Sequence, residues 1–186
     1  FNYLGFGYCG NFRKKKSDLR LKEIEEIGYA SGASILMRAS LLKEYGSWDK
    51  DFFLYHEDVE YSLRMKALGY KVVVIRDAIF YHKYQFSRNK DKFYYMERNR
   101  YAVMLMYFKW PTLLVLLPMA LIMELGLIFF SIINGWFGIR MNVYKYWLSL
   151  KNWKLWLGKR KHIQSIRMVT DSRLLKLASG KVIFEE

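Results

Sequence analysis

The chain has 186 residues, 53% of them hydrophobic and 18% aromatic, with 31 Lys and Arg against 17 Asp and Glu for a formal net charge of +14. That length suits one domain plus an appendage, and such an excess of positive charge implies an anionic partner: nucleic acid, anionic lipid or a phosphorylated substrate. One cysteine, Cys9, excludes an internal disulfide and any multi-cysteine metal site; it is expected to be a buried, inert thiol. The chain begins at Phe1 without a signal-peptide pattern, so we expect a piece of a longer protein lacking its N-terminal part.

Residues 1–28 read as a partial segment. Gly5, Gly7 and Gly10 fall in G-x-G-x-x-G spacing. A dinucleotide-binding turn needs a strand before it and an amphipathic helix after it, whereas Arg13, Lys14, Lys15 and Lys16 follow here. A flexible substrate-side loop is expected instead. Tyr29–Met37 reads as a strand with small residues at its start, where Ala30, Ser31, Gly32 and Ala33 let a backbone or ligand approach. Ser40–Tyr45 reads as a short helix, capped by Ser40 and stopped by Gly46. Trp48–Tyr55 is an aromatic loop. Glu57–Leu68 reads as a helix, with Val59, Leu63 and Ala67 at four-residue spacing and Gly69 as its stop. Lys71–Ile75 is a β-branched strand, and Arg88–Met106 a helix that begins charged and turns apolar.

From Trp110 to Ile139 the only charged residue is Glu124. Leu113–Ile133 would span about 31 Å as a helix, near the hydrocarbon thickness of a bilayer. Pro118 is expected to kink it, and Glu124 is costly in lipid unless paired or facing protein. Basic residues flank the segment on both sides, which favours a kinked or re-entrant anchor over a simple span. Asn142–Leu157 places Tyr146, Trp147, Leu150, Trp153 and Leu157 on one face among lysines, a pattern for a helix in the membrane interface. His162–Leu177 reads as a last basic amphipathic helix.

The chemistry concentrates in residues 29–82. Glu57 and Asp58 stand together at a helix start within YHEDVEYSLR; Trp48 and Asp49 precede Phe52 and Phe53; and His82 follows the strand and Asp77-Ala78. Acids at a helix N-terminus are also favoured by the macrodipole alone. Taken together, this stretch resembles the second half of the catalytic domain of family 2 glycosyltransferases, in particular bacterial, membrane-associated, rhamnosyltransferase-like members. The resemblance implies the C-terminal part of an α/β GT-A domain with a mixed sheet, followed by membrane-associated helices. It implies Asp58 as the base of an inverting single displacement, with Glu57 contacting acceptor hydroxyls or neighbouring amides. Gly32, Ala33, Trp48 and Asp49 would shape the acceptor side. His82 would help hold a divalent metal, Mn2+ or Mg2+, and Arg88 would contact donor phosphates.

Asp49-Lys50-Asp51 imitates the family's DxD metal motif but lies on the acceptor side, and is rejected for that role; the donor-binding half and its own DxD are not found. Arg98, Asn99 and Arg100 suit either phosphate contacts or a solvated basic face. Gln85-Phe86-Ser87-Arg88 is followed by Asn89 where processive synthases have tryptophan, so a non-processive enzyme is expected.

The expected division is 1–28 partial segment, 29–109 acceptor-side half, 110–139 hydrophobic membrane segment and 140–186 basic interfacial helices. The expected partners are a nucleotide-sugar donor, a glycan or polyprenyl-diphosphate-linked acceptor and anionic membrane lipid, at the cytoplasmic face of a bacterial inner membrane. A second reading is a non-catalytic, membrane-bound glycan- or lipid-binding module. Nucleic acid is set aside, because the long apolar segment argues against it and no recognition motif appears.

Overall fold

The computed structural model describes residues 1–11, 14–15, 18–82 and 91–180. Its elements, in chain order, are β1 (Ile24–Glu26), α1 (Ala39–Tyr45), α2 (Glu57–Ala67), β2 (Val73–Ile75), α3 (Lys92–Tyr107), α4 (Trp110–Ile133), α5 (Phe137–Leu148), α6 (Leu150–Ile166) and α7 (Asp171–Leu175). The fold is mostly helical. β1 and β2 form a two-stranded antiparallel sheet in the register Ile24 to Ile75, and the mixed sheet of a GT-A domain does not occur among the described residues.

Helix α2 is the centre of the site-bearing half. Glu57, Asp58 and Glu60 occupy its first turn and Arg64 and Lys66 its last, so its charges oppose the helix dipole at both ends. Val59, Leu63 and Ala67 turn inward at the expected spacing, and Leu63 is fully buried. The chain leaves the helix through Leu68 and Gly69, whose φ of +86° suits glycine.

The expected strand at Tyr29–Met37 is not one, because α2 holds its backbone in place. Asp58, Ser62 and Lys66 recur every four residues along one stripe of the helix. Asp58 Oδ2 accepts from Gly32 N at 3.0 Å, Ser62 Oγ accepts from Ala30 N at 3.1 Å, and Lys66 Nζ donates to Ile27 O at 3.0 Å. Backbone groups that a sheet ladder would pair are bonded here to helix side chains. The strand lies earlier, at β1. Helix α1 also begins one residue before Ser40, at Ala39; Arg38 is its N-cap, with no side-chain cap bond, and Gly46 ends it as expected, with φ 78°.

Helix α3 packs between α2, α5 and α6. Its Val103 and Tyr107, with Phe108 just after its end, join Phe52, Leu63 and Trp156 in the main core. The N-terminal segment completes that core rather than forming a flexible loop. Phe1 and Leu4 are buried, and Asn2 Oδ1 accepts from Leu4 N and Phe6 N, both at 3.0 Å. Gly5, with φ +84°, leaves only 3.0 Å between an added Cβ and Met104 Cγ, and 3.2 Å to Arg100 Cγ. Gly5→Ala is therefore expected to destabilise the fold by about 1–3 kcal/mol, combining backbone strain with overpacking; a urea melt measures it. Cys9 is exposed, contrary to the expected burial.

Helix α4 runs unbroken through Pro118 and is the one described helix long and apolar enough to cross a membrane. The expected interfacial helix at Asn142–Leu157 is split at Ser149, whose extended backbone ends α5 and starts α6. Trp156, outside the expected apolar face, is fully buried; it meets Phe52 edge to face at 5.3 Å and donates to Tyr146 Oη at 2.9 Å. The expected helix His162–Leu177 is likewise broken. Arg167 is extended after α6, and Thr170 caps α7, accepting from Arg173 N at 3.4 Å.

Candidate active site

The loop before α2 is strained and heavily pinned. Phe53, Tyr55 and His56 have φ of 59°, 62° and 63°, a region that costs a non-glycine residue of order 1–3 kcal/mol. Asn99, fully buried on α3, offsets this. Its Nδ2 donates to the carbonyls of Phe52, Leu54 and Tyr55 at 2.8, 2.9 and 2.6 Å. Arg98 Nη2 adds bonds to the carbonyls of Asp51 and Phe52 at 2.8 and 2.9 Å. Arg98, Asn99 and Arg100 are thus buried, and neither the phosphate contacts nor the solvated face expected of them holds. Two of them act as a clamp on the chain that delivers Glu57 and Asp58.

His56 is the N-cap of α2 in a left-handed conformation, and its Nε2 lies 3.0 Å from Gly5 O. A carbonyl only accepts, so Nε2 carries the proton. Burial holds the imidazole below the ordinary histidine value, with the Gly5 bond opposing that shift. The unfolded chain therefore binds this proton at a higher pH than the folded chain does. The stability tied to His56 is full above about pH 6.5 and falls as pH drops toward the folded-state value. Urea melts across this range should show that loss, and His56→Gln should flatten it.

The acidic pair divides its work. Asp58 is half-buried; besides Gly32 N it accepts from Val59 N, 2.7 Å from Oδ1. Glu57 is also half-buried, and its Oε2 is buried without a hydrogen-bond partner. Burial pushes its carboxyl above the ordinary carboxylate range, with Asp58 adding to the shift and its own backbone amide opposing it. Gly32 lies against Asp58, a Cβ built there meeting Asp58 Cβ at 3.6 Å; Gly32 and Ala33 are exposed. Trp48 packs edge to face on Tyr61, one turn along α2 from Asp58, at 5.3 Å, and stays 39% exposed.

Asp49 and Asp51 both pair with Lys159 on α6, at 2.6 and 2.8 Å. One lysine offsets one of their two negative charges, and it comes from α6, beside this side of the site. Below the loop, Glu60 is buried between Arg64 at 3.0 Å and Tyr107 Oη at 2.6 Å. Arg64 also donates to the carbonyls of Tyr45 and Ser47, each at 2.6 Å, and so fixes the approach to Trp48.

His82 follows β2 on an exposed stretch, with its ring 6.0 Å from that of Phe80. No group of three or more His, Cys, Asp and Glu side chains that could hold a metal occurs among the described residues. Among the described residues His82 therefore stands as a single candidate ligand. Arg88 and the Gln85–Arg88 motif lie outside the described residues.

The site thus brings Gly32, Glu57 and Asp58 together and sets Trp48 and Asp49 further along α2. A family model, described as glycosyl transferase family group 2, matches residues 23–157. The chain belongs to this family. The match runs from just before β1 into α6 and takes in Gly32, Trp48, Asp49, Glu57 and Asp58, and it supports a glycosyl-transfer function. No curated protein and no solved structure gives a significant match. Within this glycosyltransferase domain, sequence reasoning passed over His56, Ser62, Lys66 and Asn99. The four-residue spacing of Asp58, Ser62 and Lys66 was the available signal for the polar stripe of α2; nothing in the linear sequence marked Asn99 as a loop clamp.

Proposed function

We propose that the chain is the acceptor-side part of an inverting, membrane-associated family 2 glycosyltransferase of rhamnosyltransferase-like type. It moves a sugar from a nucleotide-diphosphate donor to a lipid-linked or cell-surface glycan. Asp58 takes the acceptor proton, Glu57 contacts acceptor hydroxyls, and Gly32, Ala33, Trp48 and Asp49 border the acceptor. Residues 29–109 carry this work, 110–139 associate with the membrane and 140–186 support them from the cytoplasmic side of a bacterial inner membrane. Arg88 is assigned to donor phosphates. The observation that carries the reading is the acidic pair at the start of α2, beneath exposed Gly32 and inside the family match.

The chemistry follows from that placement. An acceptor hydroxyl becomes a nucleophile when a carboxylate at hydrogen-bond distance takes its proton as the new bond forms. In a single displacement the sugar's bond to the donor diphosphate breaks on the opposite face, so no protein nucleophile is required. The divalent ion common in the family would stabilise the departing diphosphate; His82 alone is an insufficient ligand set, and no step here is assigned to it. Trp48 offers an exposed aromatic face along the acceptor approach.

The second reading is a membrane-bound glycan- or lipid-binding module. Acceptor binding and sugar transfer, both measured on the full-length protein with Asp58→Asn, separate the two. Retained binding with lost transfer supports the transferase. Binding with no transfer by the unaltered protein either would establish the module.

A further inference from the structure

Helix α4 has two faces of different character along its whole length. Leu113, Leu116, Ala120 and Met123 pack on the main core, and Leu127 and Ser131 continue the same face as buried residues. The inner face therefore reaches from the first turn to the last at three- and four-residue intervals. Midway, Glu124 pairs with Arg140 of α5, accepts from Tyr101 Oη of α3 at 2.6 Å and lies 3.6 Å from Arg100. The outer face exposes Leu114, Val115, Leu121, Ile122, Leu125 and Phe129.

A helix crossing the bilayer with this docking would carry Arg100, Arg140 and Glu97 to the depth of its own midpoint, a costly place for ionised groups. A helix lying flat keeps them on the protein side and immerses only the outer face. The first turn of α4 adds a second observation. Lys109, Arg160 and Lys161 surround a cleft of about 490 Å³ floored by Trp110, Pro111 and Leu157. The Arg160 guanidinium is 4.2 Å from the Trp110 ring centre and donates to the carbonyls of Leu105 and Phe108, the latter at 2.6 Å. It is 8% exposed, and no described carboxylate forms an ion pair with it. Asp171, the nearby acid, is engaged by Arg167 at 2.5 Å and by Lys109 N at 2.8 Å.

We propose that α4 docks lengthwise into one leaflet of an anionic bilayer, with its outer face in the acyl boundary and the Lys109–Arg160–Lys161 cleft seating a lipid phosphate. Three cations beside a tryptophan at the end of an apolar face match the chemistry of the headgroup layer, and the net charge of +14 complements an anionic surface. This rests on the membrane-association part of the proposed function and not on its transfer chemistry.

The test uses the full chain with Cys9→Ser, which removes its only cysteine. Single nitroxide-labelled cysteines at Val115, Ile122 and Phe129 are compared on vesicles of equimolar phosphatidylcholine and phosphatidylglycerol. Collision with oxygen and with a water-soluble nickel complex reports depth. Equal, shallow depth at all three positions is expected. A midplane depth at Ile122, with Phe129 approaching the far leaflet, overturns the proposal. In a second arm, Lys109→Gln with Lys161→Gln, both exposed, should weaken binding to the anionic vesicles roughly thirty-fold and leave binding to pure phosphatidylcholine unchanged. Equal binding of the unaltered chain to both vesicle types overturns the phosphate seat. Self-association that buries the three labels without vesicle binding overturns the lipid assignment in favour of a second copy. Neither arm reads sugar transfer, so failure here leaves the transferase reading intact and failure of that reading leaves this one intact.

Discussion

Asp58→Asn in the full-length enzyme is expected to lower the rate of sugar transfer by about 10²–10⁴-fold, the usual contribution of a positioned general base, or about 2.7–5.5 kcal/mol of transition-state free energy. The substitution preserves shape, and the Asn carbonyl oxygen can still accept from Gly32 N or Val59 N, where Asp58 now accepts both at 3.0 and 2.7 Å. Loss of one negative charge at the start of α2 costs only about 0.3–1 kcal/mol, and Glu57 and Glu60 remain there. A circular dichroism melt close to that of the parent, together with a collapsed initial rate, is the expected pair of results. Glu57→Gln is the comparison. Glu57 has the raised pKa and the unpartnered oxygen, features that also suit a base. A larger loss of rate from Glu57→Gln than from Asp58→Asn would move the base assignment to Glu57.

Glu97→Ala should produce the largest loss of stability among single substitutions in the helical half. Glu97 Oε2 pairs with Arg100 at 2.8 Å and with Arg140 at 3.2 Å, and the three side chains are 8%, 2% and 1% exposed. Removing the carboxylate leaves two guanidinium groups in a poorly solvated place with Glu124 as their remaining acid. Breaking such a buried pair costs about 3–5 kcal/mol, or roughly 6–20 °C in Tm for a domain of this size. The network joins α3 to α5 and, through Glu124, to α4, so the loss should appear in melting of the whole helical half. Lys159→Ala is the contrast. Lys159, Asp49 and Asp51 are 23%, 16% and 32% exposed, so water still reaches all three and the loss should be smaller than that of the Glu97 network. Comparable losses from the two substitutions would show that the Glu97 network is not what holds these helices together.

Much of the local structure was legible because it depends on short-range chemistry. The helix opened by Glu57 and Asp58 was marked by apolar spacing, by acids at its start and by Gly69 at its end. The apolar run of α4 was marked by composition, and the family by the residues around the acidic pair. Boundaries shifted where two helices share one residue, as at Ser149: amphipathic spacing continued through a point at which the backbone turns extended.

What the sequence settled by itself was the family, the acidic pair, the excess of positive charge and the existence of one long apolar helix, since each rests on residue identity and near-neighbour spacing. Tertiary structure decided the rest. It turned an expected strand at 29–37 into a segment whose backbone is bonded to Asp58 and Ser62. It buried Arg98, Asn99 and Arg100 as clamps and ion pairs, and supplied Glu124 with partners from α3 and α5. A lone charge or amide reads the same in sequence whether it faces water or a strained loop. Only the packing of distant helices fixes which donors and acceptors it meets once water is removed, and burial makes those meetings compulsory.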